Sequence, residues 1–343
     1  MKVSVVIPVF NKAPYLEECL ASILNQSFMD FELIAMDDAS TDDSLGILRR
    51  FTDARLKVIA LPANLGPAGC AQRGMDAAKG EFIIRADADD VMHPERIVRQ
   101  VAFMEAHPDL GASGAWMELM GQPGVYRRTG LADAECRAGS LFHIPIFQPT
   151  SIYRRAVLEA HGLRYADDWP RYGEDWLFQL RLLRATRVGN LPEPLVKYRL
   201  GPQNSSATGD VHAGLRRIYA EVLRWWGLPF GPGDLRCHLM AAGAPDKLMT
   251  PADVAQVKRY LGSLRAAASA SGHFDEAAVQ RVCDRAWDDL AYQLPRYGWA
   301  AAVAYLVRDK RPSIPKWRYL ASSFLKGRVY APYTERNRLA PNT

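Results

Sequence analysis

The first 120 residues alternate short apolar runs with segments of helical periodicity, and this alternation restricts the fold more than any other feature of the chain. The first run, Val3–Val9, is apolar over nearly its whole length, which is typical of a strand covered on both faces of a sheet. Similar runs at Phe31–Met36, Leu56–Leu61 and Glu81–Ala86 are separated by helical patterns. The alternation predicts an α/β domain built on a mostly parallel sheet.

Apolar residues at helical spacing predict the remaining elements. Within the first 120 residues the predicted helices are Pro14–Gln26, a short one ending near Phe51, one within residues 64–79, and Pro94–Ala106. Further along, a strand is predicted near Gly114–Met120, and helices are predicted at Trp176–Ala185, His212–Trp226, Pro251–Ala268 and Glu276–Leu294. Beyond Ser205 the pattern is helical only, which predicts a separate C-terminal region over residues 206–343.

Carboxylates are concentrated directly after two of the predicted strands. Asp37 and Asp38 follow the second strand, and Asp87-Ala88-Asp89-Asp90 follows the fourth. Ligands of open parallel sheets bind at this edge, and two carboxylates spaced as in D-x-D can hold one Mg²⁺ or Mn²⁺ together with substrate phosphates. The alternative is that Asp38, Asp42 and Asp90 are turn and helix-cap residues. Aspartate is favoured at such positions whatever the function of the protein.

Cysteine usage and hydropathy indicate the compartment. The five cysteines include no C-x-x-C pair, so they predict neither a disulfide framework nor a thiolate zinc site and favour a reducing cytoplasm. The longest wholly apolar run, Trp299–Val307, is well short of the roughly 20 residues that span a bilayer, and the N-terminus has no signal-peptide pattern. We therefore expect a cytoplasmic protein without a membrane span.

Positive charge is concentrated at the C-terminal end. Residues 293–343 contain ten basic residues against Asp309 and Glu335, a net charge of +8 in a chain whose overall net charge is +5. Aromatic residues accompany them: Tyr297, Trp299, Tyr305, Trp317, Tyr319, Phe324 and Tyr330. Basic and aromatic side chains together suit an anionic membrane surface, and the alternative is a helical appendage with a solvated basic face. No nucleic-acid-binding motif is present, so nucleic acid is not expected as a partner.

Five short motifs occur in order from residue 3 to about residue 206: VSVVIPVFN, MDDASTDDS, ADADD followed by HPERI, GEDWLFQLRL and EPLVKYRL. Together they resemble the inverting glycosyltransferases of family 2, which have the GT-A fold. The resemblance implies an α/β GT-A domain, a Rossmann-like nucleotide-diphospho-sugar transferase fold, over residues 1–205, followed by the helical C-terminal region. Residues 1–110 would form its nucleotide-binding half and residues 111–205 its acceptor half.

The resemblance also implies roles for individual residues, beginning with the donor. Pro8 and Phe10 match positions that line the nucleotide pocket, and Asp38 matches the carboxylate that reads the base. Arg73 matches an arginine that meets the nucleotide, and Asp87 matches the residue near the ribose and the diphosphate. This set is the expected site for a nucleotide-sugar donor.

For the chemistry, Asp89 matches the metal ligand, with Asp87 beside it, and Asp175 matches the general base, with Glu174 as its support. In an inverting transfer one carboxylate deprotonates the acceptor hydroxyl while the leaving group departs on the opposite face. A divalent cation, Mn²⁺ or Mg²⁺, stabilises the charge of the departing diphosphate. The alternative for Glu174 and Asp175 is the acidic first turn of a helix, which the helix dipole favours.

Three departures from the family pattern change what is expected of this chain. Cys70-Ala71-Gln72-Arg73 stands where relatives often have Ala-Arg-Asn-Arg, so Arg73 alone would meet the nucleotide. Leu200-Gly201-Pro202 stands where relatives often have a histidine, in some cases near the metal. No Q-x-x-R-W motif follows Asp175, which favours transfer of one sugar per encounter over processive synthesis.

The sequence thus predicts an inverting, metal-dependent, non-processive glycosyltransferase that uses a nucleotide-sugar donor, with UDP as the expected nucleotide. The expected acceptor is a hydroxyl of a glycan or of a polyprenyl-linked saccharide in surface polysaccharide biosynthesis. The expected location is the cytoplasm, peripheral on the inner face of the cell membrane. Two alternatives stay open: a non-catalytic, membrane-associated scaffold of a glycan assembly complex, and a sugar nucleotidyltransferase. The latter has a Gly-rich phosphate loop after its first strand, where this chain has Pro8-Val9-Phe10-Asn11.

Overall fold

The computed structural model describes residues 1–166, 169, 173–201, 211–245, 249–309 and 314–326. The chain divides into two compact units. The first, which we call the sheet unit, consists of Met1–Cys136 and Ile144–Gly209, and the second, the helical unit, consists of Arg137–His143 and Asp210–Thr343. The predicted boundary at residue 205 lies outside the described residues, as do Lys310, Arg311 and everything beyond residue 326 in the basic tail.

One sheet forms the frame of the sheet unit. Its described strands are β1 (Val3–Val9), β2 (Phe31–Asp37), β3 (Leu56–Ala60), β4 (Phe82–Arg85), β5 (Val91–Met92), β6 (Leu110–Leu119), β7 (Tyr126–Arg127), β8 (Ile152–Arg154) and β9 (Arg187–Tyr198). They lie in the order β3-β2-β1-β4-β8-β6-β9-β5, and β7 pairs with β6. β1 is parallel to β2 and to β4, and β2 is parallel to β3, as the sequence pattern predicts.

Beyond β4 the sheet is mixed. β8 is antiparallel to both β4 and β6, β9 is parallel to β6, and β5 is antiparallel to β9. β5, β7 and β8 are two or three residues long, too short to show a hydrophobic period. β9 contains Pro192 and Pro194, which disfavour a strand when judged from sequence, and its pairing with β6 shifts register around Trp116. These features explain why the sequence pattern predicted only β6 in this half of the sheet and missed β5, β7, β8 and β9.

The helices of the described chain are α1 (Ala13–Leu24), α2 (Ser44–Arg50), α3 (Gly66–Ala77), α4 (Arg96–Ala106), α5 (Asp133–Gly139), α6 (Arg155–Ala160), α7 (Glu174–Ala185), α8 (Val211–Trp225), α9 (Pro232–Ala241), α10 (Pro251–Ala270), α11 (Glu276–Gln293), α12 (Trp299–Arg308) and α13 (Ile314–Lys326). The predicted helices are confirmed to within a few residues at each end. α5, α6, α9, α12 and α13 were not predicted. α5 and α6 are only seven and six residues long, and the first nine residues of α12 are all apolar, so its sequence shows no polar face. Among the described residues, no helix combines the length and the apolarity needed to cross a bilayer.

The central strand of the parallel part is buried on both sides. Alternate residues of β1 pack with α1 in one apolar cluster, whose members include Val3, Val5, Ile7, Val9, Leu16 and Leu20. Full burial stabilises each such side chain by about 1.5–3 kcal/mol relative to exposure. The cluster therefore forms a rigid frame, and the loops at the carboxyl ends of the strands are attached to it.

At the opposite, amino end of these strands, the carboxylate of Glu32 is buried but fully engaged. It accepts hydrogen bonds from Ser4 Oγ at 2.6 Å, from the Lys79 amide at 3.0 Å and from Lys57 Nζ at 2.5 Å. Burial alone would raise the pKa of Glu32, but the hydrogen bonds from Lys57 and Ser4 outweigh it and lower the pKa below its ordinary value. This acid therefore has a structural role.

In the helical unit, the segment Arg137–His143 is held by side chains of the helices. The Tyr219 hydroxyl of α8 donates to the carbonyl oxygen of Phe142 at 3.1 Å, and the indole of Trp226 donates to Ser140 Oγ at 3.0 Å. These bonds satisfy polar groups that are buried with the segment.

His238 of α9 is completely buried beside the same segment. Its Nε2 lies 2.8 Å from the carbonyl oxygen of Leu141 and therefore donates, which leaves Nδ1 to accept from the Tyr260 hydroxyl at 2.6 Å. The ring stacks on Phe142 with 4.7 Å between the centroids. Burial lowers the pKa of His238 to about 4, so the ring is neutral in the folded protein at neutral pH.

Acidification is expected to weaken the folded protein through His238. The unfolded chain takes up this proton near pH 6.5 and the folded chain only near pH 4, so stability is lost as the pH falls through this window. The difference corresponds to about 3 kcal/mol in the free energy of unfolding. Urea denaturation of wild type and of His238→Phe at several pH values between 7 and 4 measures it. The variant should be less stable at pH 7 but should lose less stability on acidification, and an equal loss in the two proteins would contradict the assignment.

Candidate active site

The candidate site lies where the strand order of the sheet reverses. β1 stands between β2 and β4, and the loops that follow β1 and β4 leave at the carboxyl edge. The pairing of β1 with β4 ends at Val6, so that Pro8 and Val9 extend past β4 and the missing amide proton of Pro8 breaks no pairing with it. Such a switch point opens a crevice at the carboxyl ends of the strands, where α/β proteins bind ligands.

Side-chain hydrogen bonds tie the loop after β1 to the loop after β2. Asn11 Oδ1 accepts the amide of Thr41 at 2.8 Å, and Asp42 Oδ2 accepts the amide of Ala13 at 3.0 Å. Asp42 therefore holds the start of α1, which is the turn-and-cap role that the sequence alternative gave it.

Two residues of these loops have a left-handed backbone. Asn11 has φ of 52° and Ala39 has φ of 56°, and in the described part of the chain no other residue besides glycine has a positive φ. The conformation costs an L-residue about 1–2 kcal/mol, although asparagine tolerates it better than alanine does. Strain of this kind persists where the surrounding structure determines the backbone and is concentrated at functional sites.

The predicted nucleotide residues are found in different environments. Phe10 follows β1 and is 43% exposed. Asp38 is buried, and its two oxygens accept the amides of Leu65 at 2.7 Å and Gly66 at 3.0 Å, which fixes the start of α3. Arg73 is exposed on α3, and none of the hydrogen bonds or ion pairs described for the site involves it. The structure gives Asp38 a capping function, and the nucleotide-binding roles of these residues stay predictions.

The acidic loop after β4 is contacted by cations from two other segments. Asp89 Oδ2 lies 2.5 Å from Nζ of Lys12, which belongs to the loop after β1. The amide of Arg199, directly after β9, donates to Asp90 Oδ1 at 2.8 Å, and its Nε donates to the carbonyl oxygen of Asp89 at 2.9 Å. Sequence reasoning missed Arg199 although it lies in the EPLVKYRL motif, because one of its partners is a backbone atom far away in the sequence.

Glu174 and Asp175 form the first turn of α7. The helix follows Gly173, whose φ of 80° favours glycine. Asp175 Oδ1 accepts the amide of Trp176 at 2.8 Å. Burial raises the pKa of Asp175, and burial together with the charge of Asp175 raises the pKa of Glu174 well above its ordinary value. A solvated acidic first turn would not have this property, whereas acids with perturbed pKa values in a cleft are functional candidates.

Electrostatics link these acids to the loop after β4. Burial and then the charge of Asp89 raise the pKa of Asp87 to about 6, and the charge of Asp175 adds to the rise. Asp175 is thus near enough to Asp87 for its charge to act on it, although the two come from separate parts of the chain. The catalytic roles that the resemblance assigned to Asp87, Asp89 and Asp175 stay predictions.

Arg85, the last residue of β4, is a site residue that sequence reasoning missed. Its side chain is buried, and its Nε and Nη1 have no hydrogen-bond partner among the described residues. Its positive charge opposes the rise in the pKa of Asp87 and of Asp175. A signal was present in the sequence, since Arg85 is the one charged residue of the apolar run FIIR.

Asp87 and Asp89 are suited to a divalent cation. They supply two hard oxygen donors, whereas no group of three or more metal-binding side chains occurs within the described ranges. The repulsion that raises the pKa of Asp87 is of the kind that a bound cation relieves. Mg²⁺ and Mn²⁺ are commonly held by one or two carboxylates and complete their shells with phosphate and water oxygens. The residues present therefore fit such a cation.

Comparison with known proteins relates most of the sheet unit to one family. Residues 4–162 match the family model described as Glycosyl transferase family 2. An uncharacterised glycosyltransferase of Haemophilus influenzae is 35% identical over 222 residues, which cover 60% of this chain and 67% of the relative. The poly(ribitol-phosphate) β-N-acetylglucosaminyltransferase TarS of Staphylococcus aureus is 30% identical over 65% of this chain and 41% of its own length. The amylovoran biosynthesis glycosyltransferase AmsE of Erwinia amylovora is 28% identical over 58% of this chain and 76% of its own.

Solved structures extend the likeness to nearly the full length. Residues 1–349 of S. aureus TarS in complex with UDP-GlcNAc superpose with a TM-score of 0.57 at 22% identity, covering 96% of this chain and 93% of that one. The mannosyltransferase PcManGT of Pyrobaculum calidifontis, in complex with GDP-Man and Mn²⁺, gives a TM-score of 0.52 at 21% identity, covering 94% and 87%. The shared fold confirms the predicted fold class, a GT-A α/β domain with a helical C-terminal region.

Replacing Ala39 by glycine is expected to stabilise the protein. Glycine adopts a φ of 56° without the clash of a β-carbon, so Ala39→Gly should raise the free energy of unfolding by about 1 kcal/mol. Ala78→Gly is the matched control, because Ala78 has an ordinary φ of −70°. This variant should lower the free energy of unfolding by up to about 1 kcal/mol, since glycine gives the unfolded chain more conformational freedom. Urea denaturation measures both, and an Ala39→Gly protein less stable than wild type would contradict the strain at this loop.

Proposed function

This chain belongs to glycosyl transferase family 2 and is a glycosyltransferase, and from this premise we propose that it transfers one sugar per encounter, with inversion, from a UDP-linked donor to a hydroxyl of a surface glycan or polyprenyl-linked saccharide. The observation that carries the proposal is that the charges of Asp89 and of Asp175 both act on Asp87, directly after β4. Support for the donor and the pathway comes from TarS, whose structure contains UDP-GlcNAc, and from AmsE of amylovoran biosynthesis.

The donor nucleotide would occupy the crevice between the loops after β1, β2 and β4. The exposed ring of Phe10 offers an apolar face for the base, and Pro8, two residues earlier in β1, would line the same pocket. Asp38, whose two oxygens accept the amides of Leu65 and Gly66, would read the base. Arg73 would reach the nucleotide from α3. Such a pocket binds the donor through the nucleotide and leaves the sugar near the acidic loop.

Asp175 would act as the general base. Its Oδ1 is held by the Trp176 amide, which fixes the carboxylate and leaves Oδ2 to take the proton of the acceptor hydroxyl. The acceptor oxygen then forms its bond to the anomeric carbon of the sugar as the bond from that carbon to the diphosphate breaks, and UDP leaves on the opposite face. Burial raises the pKa of Asp175, which makes it a stronger base than an exposed aspartate. Glu174, next to it, would support its position.

Asp87 and Asp89 would hold the divalent cation, Mn²⁺ or Mg²⁺. When bound, the cation supplies positive charge that stabilises the departing diphosphate. The presence of Mn²⁺ beside GDP-Man in the PcManGT structure supports this assignment. The buried guanidinium of Arg85 adds fixed positive charge at the same edge of the sheet.

The two alternatives from the sequence are less well supported. Membership of a glycosyltransferase family disfavours a sugar nucleotidyltransferase. A non-catalytic scaffold has no use for acids whose pKa is raised by burial and mutual repulsion, since such groups destabilise a fold unless a ligand compensates them.

We further propose that the helical unit attaches to an anionic membrane on the cytoplasmic side. Trp299, Val303 and Val307 of α12 follow one another at four-residue spacing and are 54%, 52% and 77% exposed, so they form an apolar stripe along one face. We call it the α12 stripe. The exposed Arg308 lies at the end of the same helix, and Trp317 of α13 is 50% exposed. The stripe would enter the headgroup region while basic residues contact anionic lipid, each contributing about 1 kcal/mol.

Asp175→Asn and Asp89→Asn are expected to have different effects. Loss of the base should reduce sugar transfer by at least about 100-fold while the affinity for UDP stays within about threefold of wild type. Loss of a cation ligand should instead abolish the Mn²⁺ dependence of UDP binding. Titration calorimetry with UDP, GDP and dTDP, with and without Mn²⁺, measures binding, and UDP release from UDP-sugars measures turnover.

The matched control is Asp109→Asn, an exposed aspartate of the same unit that pairs with Arg187. It should behave as wild type in both assays. Wild-type turnover in Asp175→Asn would show that another group is the base, and metal-independent UDP binding in the wild type would contradict the role of Asp89.

Charge introduced into the α12 stripe is expected to release the protein from vesicles. Val303→Asp/Val307→Asp should reduce flotation with vesicles containing anionic phosphatidylglycerol by at least about tenfold, because both aspartates would be buried among headgroups of like charge. Val98→Asp, at a 40% exposed valine of α4, is the control and should float as wild type does. Circular dichroism verifies that both variants are folded. Equal flotation of all three proteins, or no flotation of wild type, would contradict the proposal.

A further inference from the structure

The ammonium group of Lys12 contacts the carboxylate of Asp89, which is a proposed ligand of the divalent cation. Its Nζ lies 2.5 Å from Asp89 Oδ2, and the two side chains are only 19% and 10% exposed. The partners come from the loops after β1 and β4, on the two sides of the crevice. A partly desolvated pair with this short distance is much stronger than a surface ion pair.

The backbone of Lys12 is fixed, so the position of its side chain is not incidental. Its amide donates to Ser44 Oγ at 2.8 Å, and its carbonyl oxygen accepts the amides of Tyr15 and Leu16 in the first turn of α1. The strained Asn11 precedes it and is held by the loop after β2. The backbone of Lys12 is therefore ordered. Rotation about the bonds of its four methylene groups still allows the ammonium group to change position.

The acidic loop requires a counter-charge when no donor is bound. Asp87, Asp89 and Asp90 lie within four residues, all of them buried or half-buried. The cations near them include Lys12, Arg85, the buried Arg96, and Arg199. Arg199 contacts the loop through the backbone carbonyl of Asp89 and pairs its guanidinium with Glu18 at 2.6 Å. Lys12 is the cation that forms a direct ion pair with the carboxylate of Asp89.

We infer that Lys12 occupies the place of the divalent cation on Asp89 in the donor-free protein, and that it moves from Asp89 onto the diphosphate when cation and donor bind together. The inference rests on the proposed cation site. The ammonium 2.5 Å from Oδ2 opposes the approach of a metal ion to this carboxylate through its positive charge, so Lys12 competes with Mn²⁺ until phosphate oxygens offer the ammonium another partner. Lys12 thereby couples cation binding to nucleotide binding and keeps the affinity for the cation alone low.

Lys12→Met tests the inference by Mn²⁺ binding without any nucleotide. Methionine keeps an unbranched side chain of similar length but has no charge. Free Mn²⁺ measured by electron paramagnetic resonance should show at least about tenfold tighter binding to the variant than to wild type. The gain should be lost in Lys12→Met/Asp89→Asn, because the competition takes place on Asp89.

Lys57→Met is the matched control. Lys57 forms an ion pair with a buried carboxylate at the same distance, 2.5 Å, but at the other end of the sheet, on Glu32. Its removal should leave Mn²⁺ binding unchanged. A second measurement compares Mn²⁺ binding with and without UDP. By linkage, UDP should tighten Mn²⁺ binding strongly in wild type and at least about tenfold less in Lys12→Met.

The outcomes separate this inference from the proposed function. Mn²⁺ binding to Lys12→Met within twofold of wild type, in a protein that still needs Asp89 for Mn²⁺-dependent UDP binding, would overturn the role of Lys12 and leave the cation site intact. Mn²⁺ binding that is insensitive to Asp89→Asn even with UDP would overturn both. Circular dichroism verifies folding, and Lys12→Gln repeats the test with a polar neutral side chain and should give the same gain.

Discussion

The arrangement of the sheet unit depends on one constraint, which is that several carboxylates are buried or half-buried in the same crevice. Asp87 and Asp175 lie where burial raises the pKa of each, and taking carboxylates out of water is unfavourable unless positive charge is near. Arg85, Lys12, Arg96 and Arg199 provide it from β4, from the loop after β1, from α4 and from the residue after β9. The packed strands fix these segments, so the acids cannot move apart to relieve their repulsion.

Buried acids at the two ends of the parallel strands differ in their hydrogen-bond partners and in the direction of their pKa shifts. At the amino end Glu32 has a hydroxyl, an amide and an ammonium as partners, and its pKa is lowered. At the carboxyl end Asp90 is buried with a raised pKa, and one of its oxygens has no hydrogen-bond partner among the described residues. The first acid stabilises the fold, whereas the second arrangement is stable only because the rest of the unit compensates for it. Such unsatisfied groups mark the edge that is shaped for a ligand.

The sequence pattern was sufficient for β1 to β4 and the helices beside them, because apolar runs and helical spacing there are long and regular. It failed for β9, where Pro192 and Pro194 conceal a strand that tolerates them through register shifts. Position after a strand, together with family resemblance, predicted Asp87 and Asp89, and the resemblance predicted Asp175. Arg199 was missed because its partners come from distant parts of the chain, which no sequence period shows. Arg85 left a signal, a single charge in an apolar run, but its role depends on tertiary burial.

The short segment Arg137–His143 has a consequence for synthesis on the ribosome. Although it emerges with the first half of the chain, it belongs to the helical unit, and the partner of the Leu141 carbonyl oxygen is His238, almost a hundred residues later. Until that residue has left the exit tunnel, the apolar side chains of Leu141 and Phe142 have no helical unit to cover them. These apolar side chains therefore stay exposed on the nascent chain for longer than those of the sheet unit, and transiently exposed apolar surface of this kind promotes aggregation.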